Sequence, residues 1–332
     1  MKNYRNLSSL ALLIYLLALL SCKKNDVDFS PPLNDNSLPS ASVSGISIIS
    51  KEENQVSFSM QVAVFKDSRN MEYHFNSSHF FIDTITLSGG PYAFANTGIS
   101  LTSAGQAGNY SALMLLDQSG SILTTDPNDH RISAAKTFAT NLGNSNETWL
   151  WSFSGSDYAR HGDAFTRDTS VLIPQIENLS NKEAGGTPLY FSQYNAIQAT
   201  SDKGANANKA LLTFTDGEDT RGGYTSKQVS DFAVSKNVRL FNIGLGTSIP
   251  SSLLQQSIDG KGAFMYAKDA KQLISMFGNL GKLLDQSARF YNINWKVTTT
   301  GAGKFTTGTF FTNLRIKTPY NYTIVIPLQI RY

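Results

Sequence analysis

The chain has 332 residues, 41% of them hydrophobic and 16% charged, enough apolar material for two packed domains and too much for wholesale disorder. Its formal net charge is +3, and Lys2 and Arg5 supply two of those charges, so the chain beyond residue 21 carries only +1. With no basic patch interleaved with aromatic residues, that balance excludes nucleic acid as a partner.

Lys2 and Arg5 precede an apolar run over residues 10–20, the length of a secretory signal core and too short to be a dependable membrane span. The run ends Leu19-Leu20-Ser21-Cys22, and Cys22 is the only cysteine, so no disulfide can form within one molecule. This stretch resembles the lipobox of bacterial lipoproteins. The resemblance implies a signal peptide over residues 1–21, cleavage before Cys22, and lipid on Cys22 that anchors an exported protein to a membrane. Lys23 is not the aspartate that retains some lipoproteins at the inner membrane, so the expected address is the cell envelope at the outer membrane. Residues 22–44, rich in Ser, Asn, Asp and Pro, read as a flexible tether.

From Gly45 the character changes. Residues 46–49 and 56–64 alternate apolar and polar at the strand period, a further β-like run covers 74–87, and Gly89-Gly90-Pro91 marks a turn. Between 111 and 287, strands are expected at 112–116, 148–153, 210–215, 239–245 and 262–267. Amphipathic helices at 131–141, 189–200, 226–235, 251–258 and 271–285 follow them. Continuous apolar strands separated by helices imply a mainly parallel sheet covered on both faces. After 288 the β rhythm returns at 291–297, 306–311 and 322–330, where Pro327 predicts an edge strand or a bulge. Neither β stretch suffices for a sandwich alone. The expected architecture is a doubly wound, Rossmann-like α/β domain over 109–288, inserted in a discontinuous all-β, immunoglobulin-like sandwich over 45–108 and 289–332. Two separate small β modules are the alternative.

The chemistry concentrates where expected strands end. Asp117-Gln118-Ser119-Gly120-Ser121 follows the apolar strand; in extended backbone its three oxygen-bearing side chains can face one point, and Gly120 permits a tight bend. Thr187 lies in Gly185-Gly186-Thr187-Pro188, just ahead of a helix, and Asp216 ends the strand 210–215. Carboxylates and hydroxyls without sulfur or imidazole suit a hard divalent cation. This pattern resembles the metal-ion-dependent adhesion site of von Willebrand factor A-type (vWA) domains, over about residues 109–288. The resemblance implies that Asp117, Ser119, Ser121, Thr187 and Asp216 hold Mg²⁺, with Mn²⁺ or Ca²⁺ as substitutes, and that a partner's acidic side chain completes the coordination. It further implies that the last helix of the domain can slide when the coordination changes.

Other readings of these residues carry less. An EF-hand fails, because the loop follows a strand and its twelfth position is Asn128. Thr125-Asp126-Pro127-Asn128-Asp129 reads as a turn and helix cap, with a second cation site as the minor alternative. The four histidines have no zinc-like spacing, His161 reads as a surface-loop residue, and Trp149-Leu150-Trp151-Ser152-Phe153 reads as a buried strand. No nucleophile elbow, phosphate loop or paired-histidine metalloprotease motif is present, so no enzyme is expected. The expected function is protein binding or adhesion by a lipid-anchored protein, with loops 154–169 and 220–224 around the metal. A scaffold subunit of an envelope assembly is the alternative, and a metal-dependent hydrolase a more distant one.

Overall fold

The computed structural model describes residues 38–332 except 67–68, 72–73, 88–89, 103–107, 144, 248, 251, 300, 302–303 and 306. The expected signal peptide, Cys22 and most of the expected tether lie outside the described residues. In chain order, β1 (Ser40–Glu52) and β2 (Gln55–Lys66) pair as a long hairpin. Short β3 (Arg69–Asn70), β4 (Phe80–Ile82) and β5 (Ile85–Leu87) lead to β6 (Gly90–Leu101). Then come β7 (Tyr110–Asp117), α1 (Ile122–Thr125), α2 (His130–Thr140), β8 (Glu147–Ser154) and β9 (Asp157–Thr166). The α/β run continues with α3 (Thr169–Glu177), α4 (Leu189–Lys203), β10 (Asn208–Thr215), α5 (Ser226–Ser235) and β11 (Val238–Leu245). It closes with α6 (Leu253–Asp259), β12 (Ala263–Ala267) and α7 (Gln272–Leu284), and the chain ends in β13 (Tyr291–Thr299), β14 (Thr309–Lys317) and β15 (Thr323–Arg331).

Strands β12, β11, β10, β7 and β8 lie side by side and parallel, with β9 added antiparallel at the edge. Period-two alternation sorts β7 between two cores. Ala112, Met114 and Leu116 pack with α2 and α7, while Leu113 and Leu115 pack with Trp149, Trp151 and α4. At about 1.5–3 kcal/mol for each large apolar side chain removed from water, this two-sided burial fixes the strand whose last residue is Asp117.

The antiparallel strands form the expected two-layer packing with one correction to its plan. Their sheet continues the α/β sheet: β1 pairs with β12 through Ser42↔Met265 and Val43↔Phe264, giving the order β5-β6-β13-β2-β1-β12-β11-β10-β7-β8-β9. The second layer is the three-stranded sheet β15-β14-β4, and Phe58, Trp295, Phe310, Leu314 and Ile326 fill the space between the layers. β15 is an edge strand, which accommodates Pro327 without a break in register. The strand β1 begins at Ser40, inside the span expected as tether. Ser40-Ala41-Ser42-Val43 is buried throughout, and its start meets the last helix, where Ser40 Oγ donates to Ser275 Oγ at 3.2 Å and Gln272 Nε2 donates to the Pro39 carbonyl. Buried serines hide a strand whose sequence looks like linker.

Two further departures lie between 154 and 177. The stretch expected as a loop over 154–169 is mostly β9, whose charged, edge-strand sequence lacks an apolar stripe, and α3 follows it with Pro174 inside. Pro174 reads as a breaker, yet Leu172 and Ile176 are buried against the sheet and hold the helix in place. No helix among the described residues is long and apolar enough to cross a membrane.

Candidate metal centre

From β7 the chain proceeds to β8 on one side, while β10 flanks β7 on the other, so the carboxyl ends of β7 and β10 bound the switch point where open α/β sheets collect ligands. Asp117 ends β7 with no exposed surface, and Asp216 follows β10 at 1% exposure. The Ser119 amide donates to Asp117 Oδ1 at 2.8 Å and the Thr215 hydroxyl to Asp117 Oδ2 at 2.7 Å. Ser119 Oγ and Ser121 Oγ are 3.1 Å apart, and Ser121 Oγ donates to Asp216 Oδ1 at 2.7 Å, with the Thr125 hydroxyl on Oδ2.

Thr187 joins from a third loop. Its amide donates to Thr220 Oγ1 at 2.8 Å and its carbonyl accepts from the Thr220 amide at 2.9 Å. A Cβ built on Gly217 would sit 3.6 Å from Thr187 Oγ1 and 3.9 Å from Ser121 Oγ, so both hydroxyls border the same small space. All five residues expected as ligands are thus drawn into one cluster. The loops approach closely enough to need glycine: Gly185 has φ of +74°, and a Cβ there would come within 2.8 Å of Gly155 Cα. Gly120 N donates to Gly185 O at 3.0 Å, closing the first loop on the second.

The donor set fits a divalent cation. Two carboxylates are buried with no basic side chain in ion-pair contact with either among the described residues. Burial pushes the Asp117 carboxyl up to about 6, against hydrogen bonds from Ser119 and Thr215 that favour its ionised form, and the charge of Asp216 pushes it further up. Buried, unpaired carboxylates are costly unless protonated or bound to a cation. No cluster of three or more His, Cys, Asp and Glu side chains suited to a metal occurs among the described residues, so oxygens beyond the two carboxylates, the hydroxyls among them, would have to complete any coordination here. Gly217→Val should fill the space between the hydroxyls and lower divalent-cation affinity by about tenfold or more, with far-ultraviolet circular dichroism unchanged. Titration calorimetry with Mg²⁺ checks it.

Residues 113–279 match the model of the von Willebrand factor type A domain, half of the chain. The chain belongs to this family. Solved structures resemble the vWA chain more loosely. Proximal thread matrix protein 1 of the mussel byssus is 16% identical, with 57% of this chain covered, 49% of that one and a TM-score of 0.47. The same mussel protein with a zinc-occupied metal-ion-dependent adhesion site is 14% identical, with 59% and 49% covered and a TM-score of 0.45. The ArnB paralog VWA2 of Sulfolobus acidocaldarius is 16% identical, with 89% and 74% covered and a TM-score of 0.43. The chain spans about half the length of the mussel protein. No curated protein matches it.

Around these loops of the vWA domain stand residues whose supporting roles sequence reasoning did not assign. Thr215, Thr125 and Thr220 orient Asp117, Asp216 and Thr187. Arg131, fully buried, donates to Asp126, Asp129, Glu183 and Gln118 Oε1, tying the loop after β7 to the segment that leads into Thr187. Asp126 also accepts from the amides of His130 and Arg131, so it caps α2, as the turn reading expected. The only available signal was an arginine opening an otherwise amphipathic helix. His161 is on β9, not in a loop, and its Nε2 lies 2.8 Å from Ser152 Oγ. Burial holds its pKa below the ordinary value, with the charge of Lys182 adding to the effect. The segment 220–224 meets Thr187 through Thr220, with Tyr224 stacked on Tyr194 at 4.2 Å, and beside it opens a cleft of about 380 Å³ lined by Tyr190, Glu218, Asp219 and Tyr224.

Proposed function

We propose that this vWA protein binds a protein partner through a divalent cation held by Asp117, Ser119, Ser121, Thr187 and Asp216. The observation that carries this reading is the pair of buried carboxylates without basic partners, facing three hydroxyls at the switch point of the sheet. The cation would supply a Lewis-acidic position for a carboxylate offered by the partner, and Mg²⁺ matches the oxygen donors best. The chain's own part is to hold those oxygens in place and keep bulky groups out through Gly217. The partner then docks against the Thr220–Tyr224 rim and the cleft beside Tyr190.

The lipobox-like Leu19-Leu20-Ser21-Cys22 supports placing this site in the cell envelope, on a lipid anchor at Cys22 and a tether up to β1. The vWA domain over 109–288 then sits between the two antiparallel stretches, β1–β6 and β13–β15, as an adhesion or interaction module and not an enzyme. Calorimetric titration tests the reading in two steps. One saturable Mg²⁺ or Mn²⁺ site is expected, absent in Asp216→Ala. A short peptide carrying one aspartate should then bind in Mg²⁺ and not in chelator; equal affinity in both would sink the cation-bridged mechanism.

A further inference from the structure

The amino ends of the parallel strands, opposite the metal centre, hold a cavity of about 290 Å³ that none of the expected functions uses. Ser44, Gln61, Thr102, Arg239, Lys261 and Gln286 form its polar lining. These residues come from every segment that meets at the seam of the molecule. Ser44 stands at the register shift of β1, Thr102 follows β6 on the way into the α/β part, and Gln286 follows α7 on the way out. The two crossings are bonded to each other: the Thr102 amide donates to the Phe290 carbonyl at 2.8 Å, and the Phe290 amide donates to Thr102 Oγ1 at 2.9 Å.

The charge in this cavity is one-sided. Among the described residues no acidic side chain lines it, while two cations do. Arg239 is half-buried, its guanidinium 5.3 Å from the Phe241 ring, and one of its five N–H donors meets the Leu284 carbonyl. Among the described residues neither Arg239 nor Lys261 forms an ion pair. Burial pulls the guanidinium's pKa down, and Asp285, whose carboxylate accepts from the Ser287 amide, offsets this only in part. A partly desolvated guanidinium with donors to spare and no carboxylate partner is suited to a bidentate oxyanion.

We propose that this cavity is an oxyanion site in which Arg239 and Lys261 hold a carboxylate or phosphate group of a small molecule. The volume exceeds what a bare halide needs, and Ser44, Gln61, Thr102 and Gln286 offer hydrogen-bonding groups to the remainder of the molecule. Because both crossings border the cavity, the bound anion also braces the α/β part against the antiparallel strands. This site is independent of the metal centre and stands whether or not a cation binds there.

The test uses the chain from Cys22 to Tyr332 in chelator, which removes any binding of carboxylates through the metal centre. Inorganic phosphate and succinate are titrated separately by calorimetry, with sodium chloride holding ionic strength constant. Saturable binding of at least one is expected, and which one binds separates the phosphate from the carboxylate class. Arg239→Gln and Lys261→Asn should each weaken it about tenfold, the loss of one charge-assisted contact. Lys261 is exposed with φ of +56°, a conformation asparagine adopts readily, so Lys261→Asn keeps the fold intact even if Arg239→Gln does not. Absence of saturable binding for both anions, or an unchanged affinity in Lys261→Asn, overturns the proposal.

Discussion

Replacing Arg131 by methionine is expected to lower the unfolding free energy by about 3–5 kcal/mol, the usual cost of removing one partner from a buried ion network. The guanidinium has no exposed surface and serves three carboxylates, of which Asp126 and Glu183 are almost as deeply buried. Burial pulls its pKa down, but Glu183 and Asp126 outweigh that and hold it above the ordinary value. Removing it leaves acids in the interior without a cation, and it also frees Gln118, whose side chain otherwise joins Arg131 to the Leu179 carbonyl. The loss should therefore be non-additive. Arg131→Met combined with Glu183→Gln should lose less than the sum of the two, because the second change neutralises what the first exposed. Urea unfolding of the two single variants and the double variant measures this coupling. A deficit below about 1 kcal/mol for Arg131→Met, or strict additivity, would show that the network does not hold the loops.

The same cluster explains what sequence could and could not disclose. The residues expected as ligands were visible because they cluster where an apolar strand ends or a helix is about to begin: Leu113 to Leu116 announce Asp117, and Ala210 to Phe214 announce Asp216. Periodicity captures such positions, since the burial that fixes the strand is written in consecutive side chains. The roles of Arg131, Glu183 and Thr220 were hidden because they are set by contacts between segments about 30–50 residues apart, and an isolated charge or hydroxyl gives no local pattern. The β1–β12 junction was hidden for a related reason. Serine at Ser40 and Ser42 replaces the apolar residue that would mark a buried strand, and at Ser40 the surface opposite is itself polar, at Gln272 and Ser275. β9 escaped notice as an edge strand, where exposed charges such as Arg160 and Asp163 are tolerated and protect against unwanted pairing. Local pattern thus marked the loops that the fold brings together, while the supports beneath them depended on tertiary packing.

Asp117→Asn is expected to abolish divalent-cation binding, at least about a hundredfold, while leaving the chelator-treated protein as stable as the parent near neutral pH or more so. The sign follows from the carboxyl's position. Its pKa in the folded chain is raised to about 6 from the ordinary 3.8, chiefly by burial. A group raised on folding contributes stability that is fully present below its unfolded value and lost as pH climbs through the folded one. At about 1.4 kcal/mol per pH unit, the metal-free protein gives up about 3 kcal/mol at this carboxyl on passing from acid to neutral solution. Asparagine carries no such charge, so its melting temperature in chelator should fall less over the same range, even though one hydrogen bond to Ser119 or Thr215 is lost. Mg²⁺ should reverse the parent's loss, because a cation bound to the ionised carboxylate removes the reason it is costly. Protons and the cation compete for the same oxygens, so the Mg²⁺-induced rise in melting temperature should be large near about pH 7.5 and shrink towards about pH 5. Parallel melting curves for parent and variant across that range, with or without Mg²⁺, would mean that Asp117 neither strains the metal-free fold nor holds a cation.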